Sequence, residues 1–244
     1  MQIIHLGFHK TGTTGLQRRV FSKCGLPYYG IGSPHNKDRL EMLSFISGAT
    51  VPHLEHLRSQ PCILSDESGL LRFGGSEGLS SIAKSIAAGF SKPVLLLTTR
   101  DPVSLLRSAY CQSTGVRQRA IGFHNTTDPI FGGDTKELSF ADWWSLLRTH
   151  ENKSLCGLIR YGKTVEALSR ELNVVTLPLE WVVDQKRYLE TLESLGLQGD
   201  AFIASPPVNV GPHLASDLTG FDETAPDMTA YFRGASVCET ELQH

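Results

Sequence analysis

The stretch Gln2 to Thr14, QIIHLGFHKTGTT, runs from an apolar segment straight into a loop with two glycines, and its reading decides the fold. Ile3, Ile4 and Leu6 make a short apolar run that ends at glycine, the pattern of a strand buried on both faces of a sheet. The loop itself, Gly7 to Thr14 (GFHKTGTT), has the paired glycines and closing hydroxyl of a phosphate-binding turn, but its lysine is displaced. A nucleoside-triphosphate loop reads G-x-x-x-x-G-K-[ST], with the lysine after the second glycine and the hydroxyl on magnesium. Here Thr13 stands in the lysine's position, and Lys10 lies two residues before Gly12.

From Thr13 to Cys24 the period changes: Leu16, Val20, Phe21 and Cys24 recur at helical spacing and Gly25 stops the pattern. The same alternation continues along the chain. Residues 2–8, 61–66, 92–99 and 173–179 read as buried strands. Helical patterns follow at Leu79, Ile82, Ala83, Ile86 and Ala87; at Phe140, Trp143, Trp144 and Leu147; at Leu158, Tyr161, Val165, Leu168 and Leu172; and at Tyr188, Leu189, Leu192 and Leu195, ending at Gly196. Strand and helix in alternation predict an α/β fold, a single P-loop-like domain over residues 1–244 with a parallel sheet flanked by helices on both faces. Ligands then bind at the carboxyl ends of the strands. Residues 111–138 are polar, glycine-bearing and aperiodic, too long for an ordinary connection, and are a candidate lid or acceptor loop. Residues 200–244, rich in Pro, Asp and Thr, read as an irregular C-terminal segment.

Composition narrows the function. The chain has 244 residues, 40% hydrophobic and 20% charged, enough for one sizeable core. A formal net charge of −2 provides no global basic field, so a grip on an anion must be local and a nucleic-acid partner is disfavoured. Cys24, Cys62, Cys111, Cys156 and Cys238 are an odd set without a C-x-x-C pair, which suits reduced thiols better than a disulfide framework or a zinc site. The short N-terminal apolar run lacks a basic leader, and no segment approaches the roughly 18 apolar residues of a membrane span. A soluble, cytoplasmic protein is expected.

If a helix begins near Thr13, the backbone N–H groups of its first turn face the loop, where the helix dipole favours negative charge. Gly12 lets the backbone approach a ligand, Thr13 and Thr14 add hydroxyls, and Lys10 reaches over from the strand side. A second motif, VLLLTTRDPVSLLRSAY (residues 94–110), sets Arg100 at the carboxyl end of another buried strand. Asp101-Pro102 then caps and opens a helix that carries Ser108 two turns along. Read singly, Arg100 would be a strand-end ion pair with Asp101 or Asp66, and Ser108 a neutral helix serine.

Together, HKTGTT after the first strand and RDPVSLLRSAY after a later one resemble the two cofactor-binding motifs of the sulfotransferase family. A weaker likeness lies in NVVTLPLEWVVDQKRYLETLESLGL, which is similar to the family's later strand, acidic turn and helix. The resemblance implies that the first loop (His9, Lys10, Thr11, Gly12, Thr13 and Thr14) holds the 5'-phosphosulfate of 3'-phosphoadenylyl sulfate (PAPS), and that Arg100 and Ser108 hold its 3'-phosphate. It implies release of adenosine 3',5'-bisphosphate (PAP) with no metal required, which would account for the displaced lysine. Lys10 would then stabilise charge on the leaving phosphate oxygen. Cytosolic members usually carry Pro before the motif lysine and Trp soon after the threonines. This chain has His9 and Gly15-Leu16-Gln17 there, a departure that points to the bacterial and carbohydrate-directed branches.

Transfer also needs a base facing the sulfur. The strand PCILSD runs into Glu67, the candidate by resemblance to carbohydrate sulfotransferases, with Asp66 as its substitute. His9, His35 and His124 compete more weakly, and His5 reads as a strand core residue. The His35, Phe73 and 111–138 regions, carrying Gln112, Arg117, Arg119, His124, Asn125 and Asp134, suggest a polar small-molecule or saccharide acceptor. Two other classes compete: a P-loop nucleotide or small-molecule kinase, which needs the lysine after Gly12 and an acidic magnesium ligand, and a non-catalytic nucleotide-binding module without a base.

Overall fold

The computed structural model describes residues 1–8, 11–35, 39–67, 69–114, 139–182, 185–197 and 221–233. Five strands, β1 (Gln2–Leu6), β2 (Tyr28–Tyr29), β3 (Cys62–Asp66), β4 (Pro93–Thr99) and β5 (Asn173–Pro178), form one sheet in the order β2-β3-β1-β4-β5. All pairings are parallel. Central β1 pairs with β3 from Gln2↔Cys62 to Leu6↔Asp66 and with β4 from Gln2↔Pro93 to His5↔Leu96. Its Ile3, Ile4 and Leu6 are wholly buried, because helices cover both faces.

Alternation along β1 divides the interior in two. Ile3 lies with Ile63, Val94 and Leu96 against Leu16, Val20 and Phe21 and against Tyr188, Leu192 and Leu195. These come from the helix opened by α1 (Thr13–Leu16) and from a helix over Gln185–Ser194. Ile4, Leu6 and Phe8 face the larger core, built with α2 (Arg39–Ile46), α3 (Gly69–Arg72), α4 (Leu79–Gly89), α5 (Pro102–Thr114), α6 (Phe140–Thr149), α7 (Leu155–Leu158) and α8 (Tyr161–Ser169). Each Leu, Ile or Phe sealed there contributes about 1.5–3 kcal/mol. The Gln185–Ser194 helix is α9, and α10 spans Phe221–Phe232.

The α/β architecture is the one the sequence implies: a parallel sheet with helices on both faces. Three details differ from that reading. β2, two residues among glycines in LPYYGIG, is too short to show a period. α2 buries Met42, Phe45 and Ile46, yet nothing upstream announces it. The segment read as irregular over 200–244 contains α10, whose Phe221, Ala225, Met228 and Phe232 follow a helical period despite Pro226 inside the helix. Met228 and Phe232 are buried. Tertiary contacts hold α10 in place: Trp144 Nε1 and Arg148 both donate to Asp227 at 2.8 Å, and Phe232 packs against Trp144 with centroids 5.7 Å apart. Of the 111–138 stretch, α5 carries the backbone to Thr114, and residues 115–138 lie outside the described residues. Cys24, Cys62 and Cys156 are free thiols. Among the described residues no helix is long and apolar enough to cross a membrane.

Candidate functional site

The sheet order places the site. From β1 the chain moves through α1 toward β2 and β3 on one side, then crosses back to β4 on the other. The helix after β1 packs on one face and α5, after β4, on the other. The carboxyl ends of β1 and β4 are therefore the topological switch point of the sheet, where ligands bind in folds of this kind. The glycine loop follows β1, Glu67 follows β3 and Arg100 follows β4, so all three lie along one edge.

Gly12 is the cap of α1, with φ of 77° and no side chain to bond the first turn. Glycine suits this position because φ is left-handed; a Cβ would also come within 2.5 Å of Leu179 Cδ1, the tip of a half-buried side chain just past β5. The helix then widens into a π turn over Gln17–Phe21, a local irregularity that often accompanies function. Within the loop the threonines divide. The Thr11 hydroxyl points inward, donating to the Phe8 carbonyl at 2.7 Å and lying 2.8 Å from Thr98 Oγ1. Thr13 donates to Glu67 Oε2 at 2.5 Å. Thr14 is half-buried on the first turn of α1. His9 and Lys10 lie outside the described residues.

The second motif is built as its sequence implies. Asp101 Oδ1 accepts the Ser104 N–H at 2.8 Å and caps α5, and half-buried Ser108 lies two turns along. Arg100, also half-buried, extends from the end of β4. Two residues that the motif does not contain hold its backbone: the Arg100 N–H donates to the Tyr161 hydroxyl at 3.2 Å and the Asp101 N–H to Glu180 Oε1 at 2.8 Å. Tyr161 is fully enclosed, and burial raises its phenol above the ordinary value. Its ring also meets Phe8, centroids 5.7 Å apart, which joins the glycine loop to the Arg100 turn.

Glu67 is half-buried just past β3, and Asp66 before it is 1% exposed, set by alternation on the face opposite Ser65. Glu67 is tied to the loop through Thr13. His35 is exposed and stacks on Tyr29, centroids 4.8 Å apart. Phe73 packs on the larger core. His124, Arg117, Arg119, Asn125 and Asp134 lie outside the described residues.

Sequence reading missed a polar cluster inside the sheet. His5 Nδ1 lies 2.7 Å from Ser65 Oγ, which also accepts from Gln17 Nε2 at 2.8 Å; His5 Nε2 lies 3.4 Å from Thr98 Oγ1. Burial drives the His5 imidazole down to about 3, against the opposing pull of the Asp66 charge. Thr98 and Ser65 sit in apolar strands, where a lone hydroxyl gives no periodic signal. Only their registry with His5 reveals them.

No family model matches the chain, and neither does any curated protein. Among solved structures, a crystal structure of a sulfotransferase from Alicyclobacillus acidocaldarius is similar at 17% identity over 95% of each chain, with a TM-score of 0.43. A likeness that distant assigns no activity and no residue's role.

Proposed function

We propose that this chain is a sulfotransferase, moving the sulfuryl group of PAPS to a hydroxyl, or an amine, of a polar and saccharide-like acceptor with release of PAP. The observation that carries this reading is the hydrogen bond between Thr13 and Glu67, which links a phosphate-type loop to a carboxylate at the switch point of the sheet. The two cofactor motifs follow β1 and β4, which are adjacent strands. A nucleotide with two separated phosphates suits them: the first turn of α1, capped by a residue with no side chain, for one, and Arg100 with Ser108 for the other.

In this reading the acceptor oxygen forms a bond to sulfur as the bond from sulfur to the 5'-phosphate oxygen breaks. The acceptor's proton passes to Glu67, and PAP keeps the bonding electrons as the leaving group. Lys10 stabilises the charge that grows on that phosphate oxygen, a role typically worth about 3 kcal/mol of barrier. The Thr13 hydroxyl has one proton, so it cannot donate to Glu67 and to a phosphate at once. Donor binding at the loop then draws Thr13 away and leaves Glu67 to receive the acceptor's proton. The polar make-up of residues 111–138 supports a polar acceptor.

The experiment is PAP release from PAPS against a panel of sugars, amino sugars, phenols and sterols, for the wild-type protein and for Glu67→Gln. Turnover on polar acceptors that falls by two orders of magnitude or more in Glu67→Gln supports the assignment. Undiminished turnover would remove Glu67 as the base. Activity on phenols and sterols alone would overturn the polar acceptor.

A further inference from the structure

The buried cluster beneath the glycine loop has a polarity that can be worked out from one end. Thr11 Oγ1 donates to the Phe8 carbonyl at 2.7 Å. A threonine hydroxyl has a single proton, so toward Thr98 Oγ1, 2.8 Å away, Thr11 acts as acceptor and Thr98 as donor. With its own proton committed, Thr98 can only accept from His5 Nε2, a longer contact at 3.4 Å, so Nε2 carries the ring hydrogen. Nδ1 of the neutral ring is then bare and accepts from Ser65 Oγ at 2.7 Å, while Ser65 accepts from the Gln17 amide at 2.8 Å.

We propose that His5 is a positioning residue: neutral, with its proton on Nε2, it orders a one-way chain of hydrogen bonds from Gln17 through Ser65, His5, Thr98 and Thr11 to the Phe8 carbonyl, fixing the glycine loop in its ligand-ready shape. The chain ties together the three central strands, the π turn and the loop. None of its five side chains is more than 2% exposed, so no water competes for its bonds; Gln17 Oε1, outside the chain at its donor end, makes no hydrogen bond, and the bonds of the chain itself are all made. Gly7 makes the room. A Cβ there would lie 2.6 Å from Thr98 Oγ1 and 3.0 Å from His5 Nε2, and φ at Gly7 is not left-handed. Its lack of a side chain therefore serves the contact and not the turn. The enclosed ring stays neutral far below the ordinary histidine range, as the chain requires. Thr11, grouped by sequence with the ligand-binding residues, is the last hydroxyl of this support.

That the loop so held binds the phosphate end of a nucleotide rests on the function proposed above, and the tests separate the two. Protein labelled with 15N at histidine and examined by long-range proton–nitrogen correlation should show His5, identified by the signal lost in His5→Asn, with Nε2 protonated and Nδ1 bare. Thr98→Val keeps the shape but removes the hydroxyl, whereas Thr98→Ser keeps the hydroxyl. In calorimetric titrations with PAP, Thr98→Val should bind about tenfold more weakly than wild type, the scale of one buried hydrogen bond, with Thr98→Ser within about twofold. A ring protonated on Nδ1, or wild-type affinity in a folded Thr98→Val, would overturn the inference. If the wild-type protein binds no PAP, the donor reading falls instead, and the His5 tautomer alone decides whether the chain runs as stated.

Discussion

Replacing Gly7 with alanine should be among the most damaging single-methyl changes in this protein, and the structure gives the size. The added Cβ would lie 2.5 Å from Thr13 Cγ2, 2.6 Å from Thr98 Oγ1 and 3.0 Å from His5 Nε2. All three belong to buried residues, so none can swing aside into solvent. Overpacking of this kind typically costs about 1–3 kcal/mol, and moving Thr98 off Thr11 or His5 forfeits a hydrogen bond of about 1 kcal/mol. A loss of about 3 kcal/mol corresponds to a melting midpoint lower by roughly 6–12 °C in a chain of this size. Gly15→Ala supplies the internal control. Nothing lies within 4 Å of a Cβ there, and the residue is inside α1 without a left-handed φ, so the same methyl group should stabilise by about 0.5–1 kcal/mol. Scanning calorimetry of the two variants beside wild type reads both signs. A Gly7→Ala midpoint within about 2 °C of wild type, or shifts of the same sign in both variants, would refute the close packing of the network against the loop.

Arg100→Ala should weaken PAP binding by about 2 kcal/mol, the value of a charge-assisted phosphate contact, with discrimination against nucleotides lacking a 3'-phosphate falling in step. Lys10→Ala should lower kcat more than donor affinity, because its partner charge grows only in the transition state; steady-state kinetics on both variants separate the two effects. His5 supplies a pH signature. Its folded value of about 3 lies below the ordinary 6.5, so between those values the unfolded chain binds a proton that the native one does not, and stability falls as pH drops from 6.5 toward 3. At pH 5 the loss is about 2 kcal/mol relative to pH 8, and denaturant titrations should show that slope reduced in His5→Asn. Phe232→Ala should cost about 3 kcal/mol, visible as a lower urea midpoint and as faster amide exchange throughout α10, because Phe232 is only 5% exposed against Trp144 and Tyr231.

Much of the architecture was legible because burial on both faces writes itself as continuous apolar runs. Ile3 to Leu6, Cys62 to Leu64 and Val94 to Leu97 need no partner to be read as strands. The edges of the sheet were less legible. β2 has two residues, and β5, with Asn173 exposed and its neighbours half-buried, is an edge strand where full burial was expected. α10 was hidden by composition: its helical period is present, but Pro226 and the acidic and threonine residues around it read as loop until Trp144 and Arg148 are seen holding Asp227. In the candidate site, the glycines, threonines and the Asp101 cap announce themselves by type and spacing, and Glu67 by resemblance alone. Tyr161, Leu179 and Glu180 do not, since each acts on a loop from a distant strand or helix. His5 is the instructive case: in sequence it is one polar residue in a strand, and only the parallel registry of β3 and β4 supplies Ser65 and Thr98 as its partners.

In the function proposed above, the displaced lysine and the Arg100 turn form a site for a nucleotide bearing a 3'-phosphate, with no need of magnesium. Calorimetric titration of the purified protein with PAP and with ATP, each in the presence of magnesium and of a chelator, tests it most directly. PAP should bind at least tenfold more tightly than ATP, a difference of about 1.4 kcal/mol or more, and the chelator should leave its affinity unchanged. Magnesium-dependent binding of ATP with no preference for PAP would contradict the account and make the loop that of a kinase.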